Sequence, residues 1–165
     1  MTIALAIDIG LTGALAAVDS FGTARVIDLP TVPDGKSRRL CGRALLAAIR
    51  QFVPPGEPAL LVFEDVRPRP MGNGGTHGNT MHSQGSLMRS RGIVEAVADI
   101  AKLTVSTVQP ATWKRHFGLL RTEKGASLER ARVLYPTLAG ELKRVKDHNR
   151  AEAVLLAHWL QGQAA

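Results

Sequence analysis

Four acids and one histidine in this chain stand where side chains do chemistry rather than packing. Asp8 ends one apolar run, Ile3-Ala-Leu-Ala-Ile7, and Glu64 ends a second, Ala59-Leu-Leu-Val-Phe63. A carboxylate at the end of an apolar strand is costly to desolvate unless it is paired or binds a cation. Further on, Lys146-Asp147-His148-Asn149-Arg150-Ala151-Glu152 opens another apolar stretch. If that stretch is helical, His148 and Glu152, four residues apart, share a face. Asp147 can turn toward the same point from the cap position. Hard oxygen ligands gathered at one place suit Mg²⁺ or Mn²⁺. Two such ions about 3.5–4 Å apart can activate a water and stabilise the leaving oxygen of a phosphodiester. Each residue also has a plainer use. Asp8 with Gly10 fits strand-end turn chemistry, Glu64 fits an ion pair with Arg67, Asp147 fits a helix cap alone, and His148 fits a surface helix position.

The elements decide whether these groups can meet. Residues 3–9, 13–19 and 24–29 read as three antiparallel strands joined by short turns. Residues 30–37 read as loop. Residues 39–52 carry Leu40, Leu45, Leu46, Ile49 and Phe52 at helical spacing, and Pro54-Pro55-Gly56 closes that helix. Residues 59–63 form a wholly apolar strand, parallel to the first. If these two strands are neighbours, Asp8 and Glu64 emerge at the same sheet edge, where α/β folds place ligands. Residues 68–85 are rich in Gly, Pro, Asn and His and read as a long mobile loop of the functional kind. Residues 87–101 read as helix, 103–108 as strand, 110–117 as a short helix with Pro at its start, and 118–124 as a basic loop. Residues 127–135 and 147–160 complete the set as helices. The order predicts an α/β architecture, a mixed sheet of three antiparallel then two parallel strands flanked by helices.

Bulk properties narrow the field. The chain has 165 residues, 45% of them apolar and 4% aromatic, which fits a single globular domain over residues 1–165. No apolar run approaches the roughly 20 residues of a membrane span, and the first residues do not have the form of a signal peptide. Cys41 is the single cysteine, so a cytoplasmic setting, bacterial or phage-infected, is expected. The formal charge is +7, which points to a polyanionic partner. The excess is concentrated: residues 102–150 hold eleven Lys or Arg against four Asp or Glu.

Several segments together are similar to the RuvC-type Holliday-junction resolvases, above all their phage-encoded and chloroplast branches. They are Ala6-Ile-Asp-Ile-Gly-Leu-Thr-Gly13-Ala14, Leu61-Val-Phe-Glu64, Ser90-Arg-Gly-Ile-Val-Glu-Ala96, Val108-Gln-Pro-Ala-Thr-Trp-Lys114, Thr122-Glu-Lys124 and Asp147-His-Asn-Arg-Ala-Glu152-Ala. The first motif alone is shared with sugar kinases and chaperone ATPases; the ordered set is far more specific and runs nearly end to end. The resemblance implies an RNase H-like fold and a homodimer acting on four-way branched DNA. It implies two Mg²⁺ ions per site, with Mn²⁺ as a substitute, and paired symmetric incisions. It assigns Asp8, Glu64 and Glu152 as catalytic metal ligands, with Asp147 matching the remaining acid. The bacterial pattern puts that other ligand three residues before the last acid, and this chain has Asn149 there. The fourth ligand is therefore left between Asp147 and His148. Lys114 and Lys124 also match family positions. Lys124 is expected to stabilise charge developing at the scissile phosphate, and Lys114 to position a phosphate. Further DNA contacts are expected from Arg115, Arg121 and Lys146, and from Arg67, Arg69 and Met71 around the 68–85 loop. The family inserts an aromatic from that loop; none is present here, which leaves Met71 or Arg67 to wedge the crossover open.

Three other functions compete. An actin-like ATPase or sugar kinase needs a second lobe, which 165 residues cannot supply. A non-catalytic junction-binding module would have lost acids that are all present. Another RNase H-like nuclease, acting on branched DNA or RNA–DNA hybrids, would share the same metal site and the same basic surface.

Overall fold

The computed structural model describes residues 2–68 and 80–164. Its centre is a five-stranded sheet in the order β3-β2-β1-β6-β7. Strands β1 (Ile3–Asp8), β2 (Ala14–Val18) and β3 (Ala24–Asp28) form the antiparallel meander. Strands β6 (Ala59–Glu64) and β7 (Thr104–Val108) continue the sheet in parallel on the other side of β1. The mixed sheet, three antiparallel strands and then two parallel ones, is the one the sequence pattern calls for.

Side-chain alternation divides the core into two layers of different grain. One face of β1 and β2 carries Ala4, Ala6, Ala14 and Ala16, packed with residues of α5 (His148–Ala164) and α4 (Lys124–Leu134). The opposite face carries Ile3, Leu5, Ile7 and Leu15 and packs against α1 (Gly42–Phe52) and α2 (Met81–Ile100). Alanine on the first face lets a helix lie close to the sheet. Helix α5 uses that space: Ala151, Ala153, Val154, Leu155, Leu156, Ala157 and Leu160 are all buried. A helix apolar nearly all round needs cover on several sides, and here the sheet and α4 provide it.

Several boundaries differ from the sequence reading. The expected loop at 30–37 and the start of the expected helix at 39 are instead a hairpin, β4 (Thr31–Asp34) paired with β5 (Ser37–Leu40). Its turn is Gly35-Lys36, with Gly35 at φ 59°. The Asp34-Gly35 pair is a hairpin signal, and Leu40 is buried as a strand residue rather than as the first helical contact. Helix α2 starts at Met81 rather than 87. Thr80 caps it, its side chain accepting from the Ser83 backbone N–H while the Ser83 side chain accepts from the Thr80 N–H. This reciprocal cap extends the helix into a Gly-rich stretch that propensity alone assigns to loop. Helix α4 starts at Lys124 rather than 127 and α5 runs on to Ala164. No helix among the described residues is long and apolar enough to cross a membrane.

Candidate active site

Asp8 and Glu64 end adjacent parallel strands. Ile7 pairs with Phe63 in that ladder, so the next step sets Asp8 beside Glu64. Asp8 follows Ala4 and Ala6 in alternation, and Glu64 follows Val62, so both carboxylates leave the sheet on the α5 face. Chain geometry at the turn is tight. A Cβ on Gly13 would stand 1.9 Å from the Asp8 carbonyl oxygen, so only glycine allows β2 to begin there.

Helix α5 brings Glu152 to the same place, and α3 (Pro110–His116) brings Trp113 and Lys114. Trp113 is buried, and its indole N–H donates to Glu64 Oε1 at 2.9 Å. The Lys114 ammonium lies 3.2 Å from Glu152 Oε1 and 5.1 Å from the Trp113 ring centroid. Ser127, buried on α4, donates to the same Glu152 oxygen at 3.3 Å.

The electrostatics follow from this crowding. Burial, then the charge of Glu152, then that of Glu64 push the Asp8 carboxyl up to about 7, against a lowering by Lys114. Glu64 is raised as well, chiefly by burial, with the Trp113 hydrogen bond and Lys114 acting the other way and Glu152 adding to the rise. Among the described residues, three clustered acids meet one ammonium, which leaves the cluster short of positive charge. Among the described residues, no three acidic or histidine side chains are drawn into a preformed coordination shell.

Asp147 is placed differently. It ends a short 3₁₀ turn, Val145–Asp147, and its buried carboxylate accepts from the Arg144 backbone N–H at 2.7 Å and from the Arg144 guanidinium at 2.8 Å. Those hydrogen bonds, the side-chain one first, hold its carboxyl below the usual range. It stands at the cap position of α5, but its oxygens serve Arg144 rather than the helix. His148, first residue of α5, has Nδ1 3.3 Å from the Val145 carbonyl oxygen. Asn149 donates to the Thr12 carbonyl at 2.6 Å, tying the start of α5 to the β1–β2 turn. Arg150 grips Asp28 of β3 through two bonds, of 2.5 and 2.7 Å.

The remaining expected contacts are spread more widely. Arg115, Arg121 and Lys146 are exposed, and Arg121 has φ 61°. Arg67 is exposed but bonds Asp65 at 2.8 Å, so the ion pair weighed for Glu64 belongs to Asp65. Asp65 also accepts from Gln109 at 3.0 Å and meets Arg91 at 3.4 Å. Lys124 opens α4; its side chain, together with Arg69, Met71 and the rest of 69–79, lies outside the described residues. The structure thus gathers Asp8, Glu64, Glu152 and Lys114 and sets Asp147 against Arg144. Sequence reasoning passed over Trp113 and Ser127 as site residues. A buried indole N–H needs an acceptor, which is a signal, but it does not say which acceptor.

The comparisons come down on one fold. The RuvC structure of Thermus thermophilus superposes with a TM-score of 0.54 at 16% identity, covering 98% of this chain and 96% of that one. The same organism's RuvC in complex with a Holliday junction substrate gives 0.58 at 14% identity, covering 100% and 97%. The chain has the RuvC fold. In sequence it is 34% identical over 131 residues to the chloroplastic Holliday junction resolvase MOC1 of Chlamydomonas reinhardtii, a match that takes in 76% of this chain. This chain spans 14% of that relative's length. No protein-family model matches. The resemblance to RuvC-type resolvases therefore holds in sequence and in fold, and the fold is RNase H-like.

Proposed function

We propose that this chain is a divalent-metal-dependent endodeoxyribonuclease that resolves four-way DNA junctions, acting as a homodimer that makes paired symmetric incisions. One observation carries the proposal: Asp8, Glu64 and Glu152 converge on one sheet edge, and their mutual charge and burial push Asp8 up to about 7. Such a site is unfavourable to the chain alone and fits a hard divalent cation. Asp8, Glu64 and Glu152 would hold Mg²⁺, or Mn²⁺ in its place, two ions being the number the resemblance implies. When bound, the ions supply Lewis-acid stabilisation of a phosphodiester under attack by water.

The chain's own residues divide the other tasks. Trp113 orients Glu64. Ser127 and Lys114 orient Glu152, and among the described residues Lys114 is the cation placed to meet a phosphate held there. Lys124, at the head of α4, is the second candidate for stabilising the transition state. His148 lies one helical turn before Glu152 and is the candidate fourth ligand; for Asp147 to serve, Arg144 would first have to release it. Exposed Arg115, Arg121 and Lys146 supply phosphate contacts, which add affinity with little sequence preference. Support for the substrate comes from the junction resolvase matched in sequence and the junction-bound RuvC matched in fold. A cytoplasmic setting completes the proposal.

The test is cleavage of an immobile four-way junction, a Y-fork and an RNA–DNA hybrid, each with Mg²⁺, Mn²⁺ or a chelator. Paired, metal-dependent nicks across the junction, with little cutting of the hybrid, are expected. Equal cutting of fork or hybrid would move the function to a general structure-specific nuclease.

A further inference from the structure

The unexpected hairpin carries charge that the 102–150 excess does not include. Lys36, Arg38, Arg39 and Arg43 lie within eight residues of one another, against the single acid Asp34. Packed beside the first half of α2, the hairpin encloses a groove of about 270 Å³. Arg38, Arg39 and Arg89 line it, with His82 and Ser86. Its one acid, Asp34, is already bonded to Arg89 at 2.5 Å. Arg38 is exposed and has no carboxylate partner among the described residues. The groove also has a fixed relation to the acids. Leu11, three residues beyond Asp8 in the β1–β2 turn, forms part of its wall.

We propose that this groove is a second phosphate-backbone surface, seating a duplex arm of the substrate away from the scissile phosphate. The proposal rests on the DNA-nuclease function above and extends it to where the arms run. Arginine suits the task, because its planar fork of donors matches phosphate oxygens. Ser86 and His82 add donors of the kind found at sugar–phosphate contacts. Beside the β1–β2 turn that follows Asp8, three arginines face the groove against one acid, set among Leu11, Leu40 and Ile93. That favours a polyanion as occupant over a second protein.

The experiment measures junction binding against salt in an Asp8→Asn background, which removes cleavage from the readout. Arg38→Gln, Arg89→Gln and the double variant are compared with that parent on junctions with long arms and with arms trimmed near the crossover. Melting curves check that each variant folds. The slope of log affinity against log salt is expected to fall by about 0.9 for each phosphate contact removed, hence by about 1.8 in the double variant. The affinity loss should appear with long arms and vanish with short ones, and Arg38→Glu should lose more than Arg38→Gln. A double variant with the parent's slope, or one that loses equally on short arms, overturns the proposal. So does a change in oligomeric state at unchanged slope, which would make the groove a contact between copies. A parent that itself binds without salt dependence would instead overturn the nuclease reading beneath it.

Discussion

The Trp113 indole nitrogen lies 2.9 Å from Glu64 Oε1, a hydrogen bond between residues 49 apart in the chain. Burial raises the Glu64 carboxyl most and the charge of Glu152 adds to the rise, while this hydrogen bond, with Lys114, acts against them. It also fixes the carboxylate's orientation at the end of β6.

Trp113→Phe keeps most of the buried ring and removes the donor. Glu64 should then rise further, and the acid limb of cleavage should move to higher pH. Residues that orient a metal ligand typically contribute 10–100-fold in activity or metal affinity, and a loss of about that size is expected. Leaving a half-buried carboxylate oxygen unbonded should cost about 1–3 kcal/mol of stability. An unchanged pH–rate profile would reduce Trp113 to a packing residue.

Asp8 sets a pH dependence of opposite sign to that of an ordinary salt-bridged acid. Its carboxyl is raised from 3.8 to about 7 in the folded chain. The folded state therefore holds this proton more tightly than the unfolded one. The favourable contribution is fully present below the unfolded value and is lost as pH rises to about 7. Asp8→Asn, which cannot ionise, should escape that loss. In chelator, its melting temperature should exceed that of the parent by a margin that grows from pH 4 to 7 and then levels. Mg²⁺ should close the margin by stabilising the parent, and do so best at the alkaline end, because its ligands must be deprotonated. Cleavage should vanish in this variant while junction binding persists. A margin independent of pH would show that Asp8 is not strained by its neighbours.

Asp147 and Glu152 lie five residues apart but do different work. Glu152 faces Lys114 and Ser127, whereas Asp147 is spent on Arg144. Glu152→Gln should abolish cleavage with little loss of stability. Asp147→Asn should do the reverse, costing about 1–3 kcal/mol and leaving most of the cleavage rate. Its stabilisation should also fade at acid pH, since a carboxyl held low contributes above its unfolded value and is lost as pH falls. Full loss of cleavage in a well-folded Asp147→Asn variant would make Asp147 a ligand after all.

The sheet was legible because strands print their burial directly. Apolar runs at 3–7 and 59–63, each closed by an acid, sufficed to bring Asp8 and Glu64 to one edge, and alternation put both on the α5 face. What escaped depends on partners distant in sequence. The β4–β5 hairpin has few apolar residues and little period to detect, so the Asp34-Gly35 turn was its main signal. The start of α2 depends on a cap between Thr80 and Ser83 that outweighs Gly85 in its second turn. Asp147 looked available because its spacing suits the site. Only the fold shows Arg144, three residues back, already holding it.

Asn149 offers the sharpest discrimination, because a tether and a ligand predict opposite results. It stands three residues before Glu152, where the bacterial pattern has a metal ligand, yet its amide donates to the Thr12 carbonyl at 2.6 Å and to the Thr12 hydroxyl at 3.2 Å. Thr12 follows Asp8 by four residues in the β1–β2 turn, so this bond fixes the end of β1 against the start of α5, and with it Asp8 against Glu152. Asn149→Asp removes the donor and sets a carboxylate against a carbonyl oxygen. If Asn149 is a tether, the aspartate should lower kcat about 10–100-fold at unchanged junction affinity, and Asn149→Ala should do the same. If the position still belongs to the metal site, Asn149→Asp should instead bind Mg²⁺ more tightly and cut at least as fast, while Asn149→Ala loses activity. Titration of Mg²⁺ against the cleavage rate of the three proteins separates the two. The geometry at Thr12 predicts that the aspartate and alanine variants fall together.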